Sequence, residues 1–304
     1  MNVIEADGIV KTYGKITALD GVSFGVSEGE MFGLIGPDGS GKTSLYKILA
    51  TLQRADKGIA RVCGLDTVKD YRAIRDVVGY MPEQFSLYPD LSVMENLKFF
   101  ASLFGTTVKA GYDLIAPIFS QLGKFPNRRA GALSGGMKQK LALSCALIHR
   151  PRVLLLDEPT TGVDAVSRSE FWDMLSTLRG QGITIVVSTS YMDEASLCER
   201  IALIHNGRIL GIDTPQRLVD NIGENLLAAS ADNMYGLLEA LRSLPGIGSC
   251  YTFGATIHAV AGKDFDIPAA VKALEAKGLK YVSITPVKGN IEDLFIKLMS
   301  HERS

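Results

Sequence analysis

Apolar and polar positions fall in blocks along this chain, and the blocks predict strands and helices in turn. Residues 31–36 (MFGLIG) are a short apolar run of the kind a fully buried strand presents. Pro37, Asp38 and Gly39 then enforce a turn, and Leu45, Ile48, Leu49 and Leu52 recur at helical spacing, so a helix is expected to follow. A second apolar run at 153–156 (VLLL) reads as another buried strand, stopped by Pro159. Leu141, Cys145 and Ile148 mark one face of a helix that opens after Ser134, a good N-cap, and Phe171, Met174, Leu175 and Leu178 mark a further helix before a strand at 183–188. Residues 1–30 carry short strand-like segments around Tyr13. Residues 84–130 hold helical segments, one of them over 93–103. Residues 201–204 and 208–212 flank Asn206-Gly207, a strong hairpin signal. Helices alternating with buried strands predict an α/β fold with a parallel sheet at its core.

At about residue 223 the pattern changes. Residues 226–229 look like a strand; Met234, Leu237, Leu238 and Leu241 fit a helix; two short strands surround Gly254; Ile267, Ala270, Val271 and Leu274 fit a second helix; residues 281–285 read as a strand. This βαββαβ order predicts a small α+β, ferredoxin-like module. A last helix carries Ile291, Leu294, Phe295 and Leu298 on one face and starts at Asn290, with Glu292 and Asp293 in its first turn. The expected domains are therefore 1–222 and 223–304. The second shows no catalytic constellation and reads as a packing appendage, with dimer support or regulation as its other roles.

Candidate chemistry concentrates in the first domain. Gly36-x-x-x-x-Gly41-Lys42-Thr43 matches the phosphate-binding loop, and it lies between an expected strand and an expected helix, as the pattern requires. In the stretch Gly36, Pro37, Asp38, Gly39, Ser40, Gly41, Lys42, Thr43, Ser44, glycines let the backbone approach phosphates, and the free N–H groups of a helix start favour negative charge. Lys42 is placed to reach the β- and γ-phosphates of a nucleoside triphosphate and the Thr43 hydroxyl to ligate Mg²⁺. Asp157 and Glu158 end the buried strand at 153–156, where open parallel sheets place their ligands. Asp157 is expected to assist Mg²⁺ through its water shell, and Glu158 to polarise the attacking water. These features define a P-loop NTPase.

Residues 133–140 (LSGGMKQK) narrow the class. Alone, Ser134-Gly135-Gly136 is either a capped helix with glycines for the turn or an anion site at a helix N-terminus. Together with the phosphate loop and VLLLDEP, it makes the chain resemble the ATP-binding cassette (ABC) ATPases, whose signature is LSGGQ; here Met137 takes the fifth position. The resemblance covers roughly residues 3–220. It implies head-to-tail pairs of cassettes, in which Ser134, Gly135 and Gly136 of one close over the γ-phosphate held by the other. By the same resemblance Tyr13 stacks on adenine, Gln84 senses Mg²⁺ and water and couples them to a membrane partner, and Asp164 crosses the dimer interface. Standing alone, Tyr13 would be an ordinary surface aromatic and Gln84 a loop amide. The helical signature subdomain at 84–130 is the part that in relatives docks a membrane subunit, and Phe85, Tyr88, Phe99, Phe100 and Phe104 suit such a groove as well as ordinary core packing.

One position departs from the family. After the strand at 183–188, where a histidine usually contacts the γ-phosphate, this chain has Ser190; His149, His205, His258 and His301 lie elsewhere in sequence. A serine hydroxyl can hydrogen-bond a phosphate or a water but carries no positive charge. Hydrolysis is expected to be retained, and slower than in a histidine-containing relative.

Composition sets the remaining bounds. The 304 residues carry 32 Lys and Arg against 33 Asp and Glu, a net charge of −1, with no basic run, so no nucleic-acid partner is expected. Cys63, Cys145, Cys198 and Cys250 show no metal-ligand spacing and read as buried free thiols in a reducing compartment. The N-terminus lacks the form of a signal peptide, and no apolar stretch approaches the ~20 residues that span a bilayer. The resemblance then implies an ATP- and Mg²⁺-dependent subunit of a drug- or lipid-exporting transporter. It would sit in the cytoplasm against the inner face of the cell membrane, paired with an identical or a different cassette and with separate integral membrane permease subunits. The alternatives are a soluble cassette ATPase of translation or DNA repair, and a slow or regulatory cassette paired with a different one.

Overall fold

The structure, a computed structural model, describes residues 2–84, 86–220 and 225–301. In the first of its two units, Met1–Pro215, the segments around Tyr13 form a long hairpin, β1 (Asn2–Tyr13) and β2 (Ile16–Ser27). The chain continues through β3 (Met31–Ile35), α1 (Lys42–Leu49), β4 (Lys57–Val62), β5 (Leu65–Asp66), α2 (Tyr71–Val77) and β6 (Val78–Met81). A helical stretch follows: α3 (Val93–Leu103), α4 (Val108–Leu122) and α5 (Gly135–Leu147). Then come β7 (Val153–Asp157), α6 (Ala165–Gly180), β8 (Thr184–Thr189), β9 (Arg200–His205), β10 (Arg208–Asp213) and the short α7 (Pro215–Asp220).

These strands make two sheets. The antiparallel sheet has the order β2-β1-β4-β5; the larger has the order β10-β9-β3-β8-β7-β6, parallel throughout except for the β9/β10 hairpin at its edge. Every residue of β3, β7 and β8 is buried, as a parallel strand covered on both faces must be. Leu45, Ile48 and Leu49 of α1 pack with Phe24 and Phe32, whose rings stack 5.6 Å apart, in one core between the sheets. The helix expected to reach Leu52 ends at Leu49: Thr51 turns the backbone into the left-handed region (φ 60°) and leaves Leu52 exposed.

The second unit is Gln216–Ser304. The units part between Pro215 and Gln216; the boundary expected at 222–223 lies outside the described residues. Here β11 (Leu226–Ser230), α8 (Met234–Arg242), β12 (Ile247–Phe253), β13 (Thr256–Ala261), α9 (Ile267–Ala276), β14 (Ser283–Pro286) and α10 (Ile291–His301) follow in sequence. The sheet order β12-β13-β11-β14, all antiparallel, is the ferredoxin-like arrangement. Leu237 and Leu241 of α8 and Leu274 of α9 share a core with Ile257 of β13. Because side chains alternate across a strand, His258 points to the opposite face. There Asp293 of α10 accepts from His258 Nδ1 (2.6 Å) and Tyr251 Oη (2.9 Å), while Asn290 and Asp293 cap the helix reciprocally. The strand expected over 281–285 starts only at Ser283, because Tyr281 is left-handed (φ 56°) and almost fully exposed.

Candidate active site

The register of three strands assembles the site. Ile35 lies beside Thr189, and Asp157 beside Ser188, so the chain leaves β3, β7 and β8 at one edge, carrying the phosphate loop, Glu158 and Ser190. Gly36 N–H donates to the Thr189 carbonyl (3.2 Å), and Glu158 N–H to the Ser188 carbonyl (3.2 Å) and Ser188 Oγ (2.9 Å). A cavity of about 280 Å³ opens here, lined by Tyr13, the loop residues Asp38, Gly39 and Gly41 to Ser44, Glu83 and Glu158.

Each part has a local cause. Gly41 starts α1 at φ 108°, and a Cβ there would lie 2.3 Å from the Ala18 carbonyl, so only glycine lets the loop pass. No side chain caps α1, which leaves its first turn for an anion. The buried Lys42 Nζ donates to the carbonyls of Gly36 (2.7 Å) and Pro37 (2.9 Å) and pairs with Glu158 Oε1 at 3.0 Å. Ser40 sits below the loop, and its carbonyl accepts from Gly207 of the β9/β10 turn (3.0 Å). Glu158 is buried at φ 50°, a conformation that costs a non-glycine residue about 1–2 kcal/mol and is tolerated where the surroundings impose it.

Asp157 is fully buried. Ser188 Oγ donates to its Oδ1 at 2.7 Å, Thr43 lies near enough to lower its pKa, and Oδ2 has no partner. Burial raises its pKa above the ordinary carboxylate value, against the lowering by Ser188 and Thr43. A hydroxyl beside an unpartnered carboxylate oxygen fits Mg²⁺, a hard cation that takes few protein oxygens and completes its shell with phosphate and water. Among the described residues no group of three or more His, Cys, Asp or Glu forms a metal site. Beneath the carboxylates lies Tyr46, fully buried, its hydroxyl pKa raised by burial and then by the charge of Asp157.

Ser190 stands where the family resemblance puts a histidine, and it touches Glu158: its N–H lies 3.2 Å and its Oγ 3.4 Å from Glu158 Oε2, which also accepts from Thr161 Oγ1 at 3.1 Å. Tyr13 ends β1 at the cavity rim, its hydroxyl donating to Gln53 Oε1 (2.6 Å) and meeting Ser44 Oγ at 3.3 Å. The remaining predicted residues lie outside this cavity's lining. Gln84 is exposed in the bend after β6, and it is the neighbouring Glu83 that lines the cavity. Ser134 caps α5 through Met137 N–H (3.4 Å), and Gly135 is exposed beside it. Gly136 is buried so closely on α6 that a Cβ would lie 2.7 Å from Ser167 Oγ. Asp164 caps α6 by accepting from Ser167 N–H (3.0 Å), which holds its carboxyl below the ordinary range. Sequence reasoning missed Ser188, Thr161 and Glu83, polar residues whose only signal was adjacency to a motif, and Gln53, which meets Tyr13 from 40 residues away and left no signal.

Two further expectations meet the structure here. Cys145 and Cys198 are buried, with Cys198 pushed up to about 12, whereas Cys63 and Cys250 are only half-buried. The aromatic residues of the helical region divide. Phe100 and Phe104 line an apolar groove of about 320 Å³ with Tyr80, Leu87 and His149, and Tyr88 packs edge-on against Phe99; Phe85 lies outside the described residues.

A buried parallel sheet, a glycine loop before a helix and two carboxylates on the neighbouring strand end define a phosphate-loop nucleotide-binding protein. Comparison with known proteins gives the family. The profile of the ABC transporter family matches residues 19–161. The chain is 40% identical over 278 residues to the "Probable multidrug ABC transporter ATP-binding protein YbhF" of Escherichia coli (strain K12), covering 90% of this chain and 48% of that protein. It thus spans about half the length of that relative. It is 34% identical over 310 residues to the "Nod factor export ATP-binding protein I" of Paraburkholderia xenovorans (strain LB400), covering 98% of this chain and 97% of the relative. Among solved structures, an ATP-binding subunit of an ABC transporter superposes with a TM-score of 0.66 at 25% identity, over 73% of this chain and 93% of the other. A dimeric ATP-binding cassette in a post-hydrolysis state with ADP and Pi superposes with a TM-score of 0.63 at 26% identity, over 69% and 98%. The chain belongs to the ABC transporter family of ATP-binding proteins.

Proposed function

We propose that this chain is the ATP-hydrolysing subunit of a membrane exporter of the multidrug or lipid efflux type. The observation that carries the reading is the register of β3, β7 and β8, which brings Lys42 and Ser190 onto Glu158 and sets Asp157 beside it at one sheet edge, where Lys42 and Glu158 line the cavity. Lys42, fixed in the loop mouth, neutralises the β- and γ-phosphates of ATP. Thr43 and Asp157 hold Mg²⁺, which supplies charge neutralisation at the phosphate oxygens. Glu158 takes the proton of the attacking water, and its carboxylate is oriented by Ser190 and Thr161. Tyr13 offers its ring to the base at the cavity rim.

In this reading the cassette works as one of a pair, identical or different. Ser134, Gly135 and Gly136 lie outside their own cavity's lining and present a capped helix start to the phosphates of a partner; Asp164 faces the same interface. ATP favours the closed pair and hydrolysis releases it. In the same reading the groove lined by Phe100 and Phe104, with Gln84 exposed in the bend after β6, receives a helix of an integral membrane permease, and the chain sits in the cytoplasm against the inner face of the membrane. No described helix is long and apolar enough to cross a membrane. The names of the relatives, a multidrug transporter and a Nod factor exporter, support export over a translation or repair role. So does the longest described helix, α6 with 16 residues, far short of a repair-type coiled coil. Ser190 favours a second reading within the same class, a slow cassette paired with a different one.

The chain carrying Glu158→Gln, tagged and isolated with MgATP from detergent-extracted membranes of its own host, tests the transport reading. A polytopic membrane protein recovered in stoichiometric amount is the expected result. Recovery with ribosomes or DNA and no membrane subunit contradicts it.

A further inference from the structure

We propose that Glu194 is a positioning residue of the hydrolysis site, a buried staple that holds the ends of β7 and β8 together so that Ser190 stays on Glu158. The inference rests on the ATPase reading above. Glu194 lies in the short 3-10 turn Met192–Leu197 after β8 and is only 2% exposed. Burying a carboxylate is costly unless donors compensate it, so its partners reveal what it is kept for. Oε1 accepts from Thr160 Oγ1 at 2.8 Å, and Oε2 accepts from Thr189 Oγ1 at 2.6 Å; both threonines are fully buried. Thr160 stands two residues after Glu158, and Thr189 immediately precedes Ser190. One carboxylate therefore spans the two strand ends that carry the proton acceptor and the residue facing it.

The surroundings strengthen the fixation. Thr189 Oγ1 also accepts from Tyr191 N–H at 3.0 Å, so the hydroxyl that donates to Glu194 sets the backbone on the far side of Ser190. Arg168 of α6 lies over the Tyr191 ring at 4.1 Å, with its Nε 3.8 Å from Glu194 Oε1, and supplies the offsetting positive charge. Residue 190 here has a short side chain, and its nearest contact with Glu158 is made by the main-chain N–H at 3.2 Å. A long imidazole can reach a phosphate from several backbone positions. A backbone N–H cannot, so the serine makes this site depend on what holds the 189–191 backbone.

Glu194→Gln keeps the shape but replaces one acceptor oxygen by an amide donor, leaving one threonine proton without its acceptor. We expect kcat to fall by roughly 5- to 20-fold with KM for MgATP within about 2-fold, because substrate binding is untouched and only the alignment of Glu158 is lost. Thr160→Val, nearly isosteric, is expected to show the same split, and Thr160→Ser, which restores the hydroxyl, to recover most of the rate. Thr160 lies outside the 3-10 turn, at the far end of the bond to Glu194, so this pair decides the matter if Glu194→Gln folds poorly. Wild-type turnover in Glu194→Gln or Thr160→Val overturns the proposal, as does a loss in Thr160→Ser equal to that in Thr160→Val. A wild-type chain that hydrolyses no ATP overturns the ATPase reading and this inference with it.

Discussion

At the scale of single residues, the proposed chemistry rests on Glu158 and on Ser190 beside it. Ser190 offers Glu158 two neutral donors, at 3.2 and 3.4 Å, where a histidine would add a donor able to carry charge toward the γ-phosphate. Ser190→His is expected to raise kcat for ATP on the order of ten-fold, a fraction of what a full preorganised donor contributes. A variant that turns over no faster than wild type contradicts that role. Asp56, away from the site, gives a pH signature. Lys11 Nζ at 2.7 Å, and then the hydroxyl and N–H of Thr12, pull its pKa down from an ordinary 3.8 to about 2. The unfolded chain therefore binds this proton more readily than the folded one, and stability rises with pH across that window. The contribution is complete above 3.8 and is lost as pH falls toward about 2. Thermal melts of wild type and Asp56→Asn should differ at neutral pH and converge across this range; a constant gap contradicts the assignment.

Among the elements, the start of α3 shows how a polar network builds a surface. Ser92 and Glu95 form a complete capping box, and the fully buried Asn96 ties the loop to the helix, donating to the carbonyls of Tyr88, Leu91 and Ser92 and accepting from Tyr88 N–H. This clamp shapes the 88–92 turn, next to the groove proposed for the membrane partner. Asn96→Leu takes the acceptor from Tyr88 N–H, while the three carbonyls keep their backbone donors Leu91, Ala130 and residue 96 N–H, and it is expected to destabilise the chain by about 2 kcal/mol in denaturant unfolding. A loss under ~1 kcal/mol would show that the loop finds other partners. The same region shows what sequence can and cannot disclose. The helix over 93–103 was legible because its apolar spacing is uninterrupted. β4, β5, α2 and β6 were not: β6 is a four-residue strand with Gly79 inside it, and α2 buries only Ile74, so neither leaves a periodic signal. The phosphate loop and the two carboxylates were legible as local strings. The ties of Ser188 to Asp157, of Thr160 and Thr189 to Glu194 and of Tyr13 to Gln53 were not, because they arise from strand register and from the pairing of distant segments.

On the scale of the whole molecule, the chain forms two units with separate cores. The first carries a cavity lined by Lys42, Thr43 and Glu158, with Asp157 buried next to Glu158, while its own signature residues Ser134 and Gly135 are exposed and outside that cavity's lining. In the proposed reading a second cassette completes this site, as the head-to-tail pairing of the family implies. Rate should then depend on pair formation and on the Glu158 carboxylate. The most direct test is Mg²⁺-dependent ATP hydrolysis by the purified chain across a range of protein concentrations, with Glu158→Gln measured beside it. The account predicts turnover that rises more than linearly with protein and disappears in Glu158→Gln while ATP binding persists. Turnover strictly proportional to protein, or surviving in the variant, would contradict it.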